Sequence, residues 1–247
     1  MRLWSLASAS LVAALASGGC LTHILSGGEP TARDFVSGDT YHKWVVEVDS
    51  VQGQAPSGGV LDALKSRLAA VADKPSGIDI VMDETLPAHG GSWSDKDVQQ
   101  TAAAHSSQHT SGDTVVLHLL FLDGNSARDS GDGKVLGEAI GHGTIAIFAQ
   151  TVRSSCDALC LEGPDYVMQV VLVHEFGHAM GLVNNGIPMV TPHEDASHPA
   201  HSSNCDSVMY WAVETTAILN FNCFGQTRPP SDFDANDRKD LHAAGGK

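Results

Sequence analysis

Residues 164–180 leave almost no polar stripe for water. Val167, Val170, Val171, Leu172, Val173, Phe176 and Met180 are spread around every side of a helical wheel. A helix that is apolar all round is buried, so the fold must enclose this segment. Pro164 and Asp165 after Gly163 mark its start, and Gly181 provides its stop. Into it are set His174, Glu175 and His178. The two imidazoles, four residues apart, leave one face and can reach a single cation at about 2.0–2.1 Å. Glu175 is rotated roughly 100° from His174, so it flanks such a cation without needing to bind it. Burying that carboxylate without a partner costs several kcal/mol, which argues against an incidental glutamate. The chemistry that uses this set is zinc chemistry, in which the metal brings the pKa of its water down from about 15.7 toward 7 and a carboxylate takes the proton.

The stretch His-Glu-Phe-Gly-His-Ala-Met-Gly-Leu (174–182) resembles the metzincin zinc proteases, and among them the matrixins. In that family a third histidine follows the glycine by three residues; Asn184 stands there instead. Downstream, His201-Ser-Ser-Asn-Cys-Asp-Ser-Val-Met209-Tyr210 resembles the matrixin run from the third zinc histidine to the methionine turn. The resemblance thus implies an insertion up to residue 200, a departure leishmanolysin-like metzincins also tolerate, with His201 as third ligand. His198, His193 and Asn184 remain rivals for that place. Glu194 would take it in a gluzincin-type peptidase.

The resemblance further implies that Met209 floors the metal site and that Tyr210, Trp211, Ala212 and Val213 wall a substrate pocket. It implies a closing helix over 231–241, and an edge strand that pairs with an extended peptide around Gly143, Thr144, Ile145 and Ala146. The implied activity is that of a zinc-dependent endopeptidase acting through a metal-bound water, with Glu175 as general base and then acid. A non-catalytic zinc-binding envelope protein is the alternative from another class. Glu175 argues against it, because a binding module has no need of a base.

The rest of the chain alternates strand and helix patterns. Strands are expected at 41–51, 78–82 and 114–122, with one or two more within 135–152. Helices are expected at 60–72 and after a Ser94 cap. This predicts an α+β fold: a metzincin-like domain with a twisted mixed sheet, a buried active-site helix and a C-terminal helix after the Met-turn. Asp123, Asn125, Asp129 and Asp132 loosely resemble a calcium loop, but Ala127 and Arg128 interrupt the pattern, so a solvated acidic loop is the better reading. A net charge of −15 argues against nucleic acid or anionic lipid as partner. The expected partner is a peptide or protein, and the chain is read as a monomer.

Residues 1–19 read as a secretory signal, with Arg2, an apolar run over 3–16, and Ser17-Gly18-Gly19 before Cys20. Cys20 is placed as a lipidated first residue, although a leucine is usual where Ser17 stands, and Ala14-Leu15-Ala16 offers an ordinary cleavage site. Residues 20–40 are then a tether and 41–247 the domain. The expected location is the bacterial envelope, at the outer membrane or cell surface, with the N-terminal anchor as the sole membrane contact; free secretion is the other route. Export places the four remaining cysteines in an oxidising compartment. Of three connectivities, loop proximity favours Cys156–Cys160 with Cys205–Cys223.

Overall fold

The structure, a computed structural model, describes residues 29–131, 133–156 and 162–247. The chain begins with α1 (Ala32–Val36), β1 (Lys43–Val51), α2 (Gly58–Val71), β2 (Ile78–Leu86) and a short β3 (Ser92–Trp93). It continues through α3 (Asp95–His105), β4 (Thr114–Phe121), a short β5 (Asn125–Ser126), β6 (Gly137–Ile140) and β7 (Thr144–Ile147). Then come α4 (Ala149–Ser155), α5 (Pro164–Ala179), β8 (Glu194–Asp195), β9 (His198–Ser202), two 3-10 turns at Trp211–Glu214 and Thr216–Asn220, and α6 (Ala235–Ala243).

Five strands form the central sheet in the order β2-β1-β4-β7-β6. The β1–β2, β1–β4 and β4–β7 pairs are parallel and β6–β7 is antiparallel, so the sheet is mixed and mostly parallel. Strand periodicity sends alternate side chains to two cores. Trp44, Val46 and Val48 of β1 and Val115, Leu117, Leu119 and Phe121 of β4 join the larger core with α2 and α5. Val51, Leu86, Leu120 and Phe148 face the other way and meet Val98 and Ala102 of α3. Burial on both faces explains why 114–122 reads as a nearly continuous apolar run. Helix α5 is enclosed as its composition requires: every residue from Val170 to Ala179 is buried. Ser94 caps α3, accepting a bond from the Asp97 amide.

Three expectations need correction. The expected tether ends early, because α1 belongs to the domain. Phe35 and Val36 are fully buried, Phe35 packs on Trp44 at 5.2 Å between ring centroids, and the Lys74 ammonium donates to the carbonyls of Asp34, Ser37 and Tyr41. Two large apolar residues in a segment rich in Gly, Ser and Thr are too few to show a period. The edge strand is also misplaced. Thr144, Ile145 and Ala146 lie on β7, paired on both sides by β4 and β6, while Gly143 precedes that strand. A turn through Gly141, at φ 63°, folds β6 back antiparallel and makes it the sheet edge on this side. Residues 149–152, within the span read as strand, instead open α4.

The inserted segment is ordered. Val183 and Asn184 take positive φ, 52° and 63°, Val183 and Ile187 enter the larger core, and β8 pairs antiparallel with β9, the strand that carries His201. Gly181, at φ 78°, has no room for a side chain, since a Cβ there would sit 2.6 Å from Ala32 Cβ. Cys205 and Cys223 are disulfide-bonded, with Cα atoms 6.2 Å apart. Cys156 is disulfide-bonded as well, and its expected partner Cys160 lies outside the described residues. So do the signal segment, Cys20 and Asp132. Among the described residues no helix is long and apolar enough to cross a membrane.

Candidate metal centre

His174 and His178 leave α5 on one side, and β9 brings His201 to them. The ring centroids lie 4.6 Å (174–178), 5.2 Å (174–201) and 4.9 Å (178–201) apart. His174 Nδ1 lies 2.7 Å from the Val208 carbonyl and His201 Nδ1 lies 3.0 Å from that of Pro199. A carbonyl only accepts, so each Nδ1 carries the proton and each Nε2 presents a lone pair. His178 Nε2 is 3.0 Å from His174 Nε2. Glu214, at the end of the first 3-10 turn, adds a carboxylate: its Oε2 is 3.4 Å from His201 Nε2 and 3.8 Å from His174 Nε2. One donor atom from each of these four residues falls within 4.8 Å of the others. Lone pairs converging in a buried place call for a cation, and the donors suit a divalent transition ion.

Glu175 stands beside this group with both carboxylate oxygens buried and without a hydrogen-bond partner. Burial, with help from the charges of Glu214 and Glu138, pushes its carboxyl well above the ordinary range. Burial likewise pushes His178 well below the usual histidine value, and the neighbouring His174 and His201 add to that. For Glu214 burial acts upward, but the His174 and His201 imidazoles outweigh it and hold the carboxyl low. Glu175, His178 and Glu214 line a cleft of about 260 Å³ together with Arg128, Gly137, Glu138 and Ala200. The β6 backbone presses on the base, for a Cβ on Gly137 would come within 2.8 Å of Glu175 Cγ.

Met209 is fully buried beneath α5, and a Cβ on Gly177 would lie 2.2 Å from its sulfur. The glycine between Glu175 and His178 therefore lets the methionine reach the helix backbone. Of the four residues expected to wall a pocket, Trp211 lines a neighbouring depression of about 510 Å³ with Arg128 and Val135. Ala212 and Val213 are buried, and half-buried Tyr210 faces Phe221 at 6.1 Å. The rivals of His201 lie elsewhere. Asn184 is exposed, His198 stacks on Trp211 at 4.4 Å, and His193 joins another cluster. Glu194 accepts the Ala200 amide at 2.8 Å. In the acidic loop, Asp123 accepts the amides of His89 and Gly90, and Asp129 accepts that of Val135. Those carboxylates staple loops.

No protein-family model matches the sequence, and no curated protein matches it. The structure is similar to the crystal structure of archaemetzincin from Methanopyrus kandleri, with a TM-score of 0.53 and 15% identity, covering 82% of this chain and 96% of that one. The likeness is one of fold. The mostly parallel sheet and its helices together resemble the archaemetzincin fold.

Sequence reasoning missed Glu214. It falls one residue past the expected wall 210–213, and no spacing rule linked it to the histidines. A signal was present: it is the one acidic residue between Asp206 and Asp232.

Proposed function

We propose that this chain is a zinc-dependent endopeptidase of matrixin-like type, with His174, His178 and His201 as zinc ligands and Glu175 as the catalytic base. The observation that carries this reading is the convergence of the three imidazoles on one point beside an unpartnered, buried carboxylate at the foot of an edge strand. Zinc bound there supplies Lewis acidity toward a scissile carbonyl and makes hydroxide available at neutral pH. The carbonyls of Val208 and Pro199 hold the His174 and His201 rings in the tautomer that offers Nε2. Strand β6 offers backbone groups along its free edge to an extended peptide, which sets the peptide across Glu175. The Glu175 carboxylate takes a proton from the attacking water and delivers it to the leaving amine. Its dry surroundings favour that return, because they favour the neutral acid. The Cys205–Cys223 bridge supports export, and we place the chain at the bacterial envelope through a lipidated Cys20.

Glu214 favours a second reading. Zinc sites with four protein ligands are structural, whereas catalytic ones keep a position open. If Glu214 stays bound, the chain is a zinc-binding envelope protein without peptidase activity. One experiment separates the two: the full chain is incubated with a mixed peptide library, with and without chelator, beside Glu175→Gln. Internal cleavages that vanish with chelator and in the variant support the endopeptidase. Their absence in the zinc-loaded chain, or a fully active variant, overturns it.

A further inference from the structure

Arg128 stands where two hollows meet. It lines the cleft of about 260 Å³ that holds Glu175, His178 and Glu214, and also the adjoining depression of about 510 Å³ with Val135, Trp211 and Asn220. Among the described residues that line the depression, it is the one charged side chain. Its neighbours fix its place. The Arg128 amide donates to Ser126 Oγ at 3.0 Å, and that hydroxyl donates to Glu138 on β6. Nη2 donates to the Asp95 carboxylate, and Nε lies 3.9 Å from Glu138 Oε2. Neither contact uses Nη1, and the side chain remains 57% exposed.

Strand direction decides which part of a bound peptide comes here. β6 runs from Gly137, which lies against Glu175, to Ile140. An extended peptide pairing antiparallel with its edge, the stabler arrangement, runs the other way, from Ile140 toward Gly137. The residues that follow the bond beside Glu175 are therefore carried past Gly137 toward Val135 and Arg128. The depression is tied to the metal group as well, since the Leu136 amide donates to the Glu214 carbonyl at 2.8 Å. A side chain that enters it meets a guanidinium, whose planar fork of N–H donors matches a carboxylate and repels an ammonium.

We propose that Arg128 makes this chain select peptides carrying a carboxylate just after the scissile bond. The proposal rests on the endopeptidase reading above and adds the substrate class. Two sources share this chemistry: an aspartate or glutamate side chain, and the terminal carboxylate of a peptide cut close to its end. The choice is set by charge more than by apolar volume, because Trp211 lines the depression while Ala212 and Val213 do not. With more than half of the Arg128 side chain in water, the preference is modest, about fivefold over the matching amide.

The test maps cleavage sites. The zinc-loaded full chain is incubated with a mixed peptide library, beside Arg128→Gln and Arg128→Glu, and the cut positions are read by mass spectrometry. Carboxylates are expected to be enriched about fivefold after the cut in the unmutated chain. The enrichment should disappear in Arg128→Gln and give way to Lys and Arg in Arg128→Glu. A C-terminally amidated library separates the two sources: cuts that vanish with the amide used the terminal carboxylate, and cuts that remain used a side chain. High salt should shrink the enrichment in the unmutated chain, a readout that needs no substitution. A purely structural role for Arg128 would slow all cleavages alike and leave the preference unchanged. Cleavage without a carboxylate preference, or a preference that persists in Arg128→Gln, overturns this proposal and leaves the endopeptidase reading in place. No cleavage at all overturns both.

Discussion

The cleft cluster and the His193 cluster are built by the same device. In each, an imidazole Nδ1 is tied to a backbone carbonyl so that Nε2 faces carboxylates. They differ in what is left over. At His193 the imidazole pairs with the buried Asp237 and Asp240 carboxylates, every other polar atom of the three side chains is held by a neighbour, and no side chain remains to do chemistry. At the cleft, Glu175 keeps two unpartnered oxygens beside a cavity of about 260 Å³ and an edge strand. On the proposed function, what sets the cleft apart is its incompleteness: a spare carboxylate and a cavity beside it.

Substitutions can break or sharpen that contrast. The largest effect is expected from Glu175→Gln, which should lower peptide cleavage about 10²–10⁴-fold while leaving zinc content unchanged, read by initial rates beside metal analysis. Equal activity would remove the distinction between the clusters. Next, replacing Cys205 and Cys223 together by Ser opens a bridge of sequence separation 18 that encloses both Met209 and Glu214. The chain-entropy model gives a loss of about 3 kcal/mol. For a chain of this size that lowers Tm by roughly 6–12 °C in thermal melts. Gly177→Ala drives a methyl into Met209 and should cost about 1–3 kcal/mol. It should also weaken metal retention in the cleft, as titration with a competing chelator would show. The smallest effect is expected from Glu214→Gln, which should weaken zinc retention in the cleft about tenfold. If the closed four-ligand state limits turnover, the same change raises peptidase activity.

Much of the cleft was legible because helices are local. The apolar run of 164–180 announced a buried helix, and the four-residue spacing of His174 and His178 fixed their common face. His201 could be singled out because the spacing to Met209 survives the insertion. Glu214 was not legible, since its approach depends on how a short 3-10 turn folds back over α5. Asp237 and Asp240 were hidden for a similar reason. Three residues apart near the start of α6, they read as a solvated helix face until the insertion is seen to cover them. The sheet's content was readable from its apolar runs. Its edge was not, because a single turn at Gly141 decides whether β6 or β7 lies outside. The α1 segment escaped because two buried residues, Phe35 and Val36, carry no period.

The central claim is that three imidazoles, one of them brought in by a long inserted segment, hold a single zinc beside Glu175. A zinc-edge anomalous difference map of the zinc-loaded chain tests it most directly. The account predicts a peak about 2.0–2.1 Å from Nε2 of His174, His178 and His201. A cleft without such a peak, or a His201 ring turned away from the metal, would contradict it.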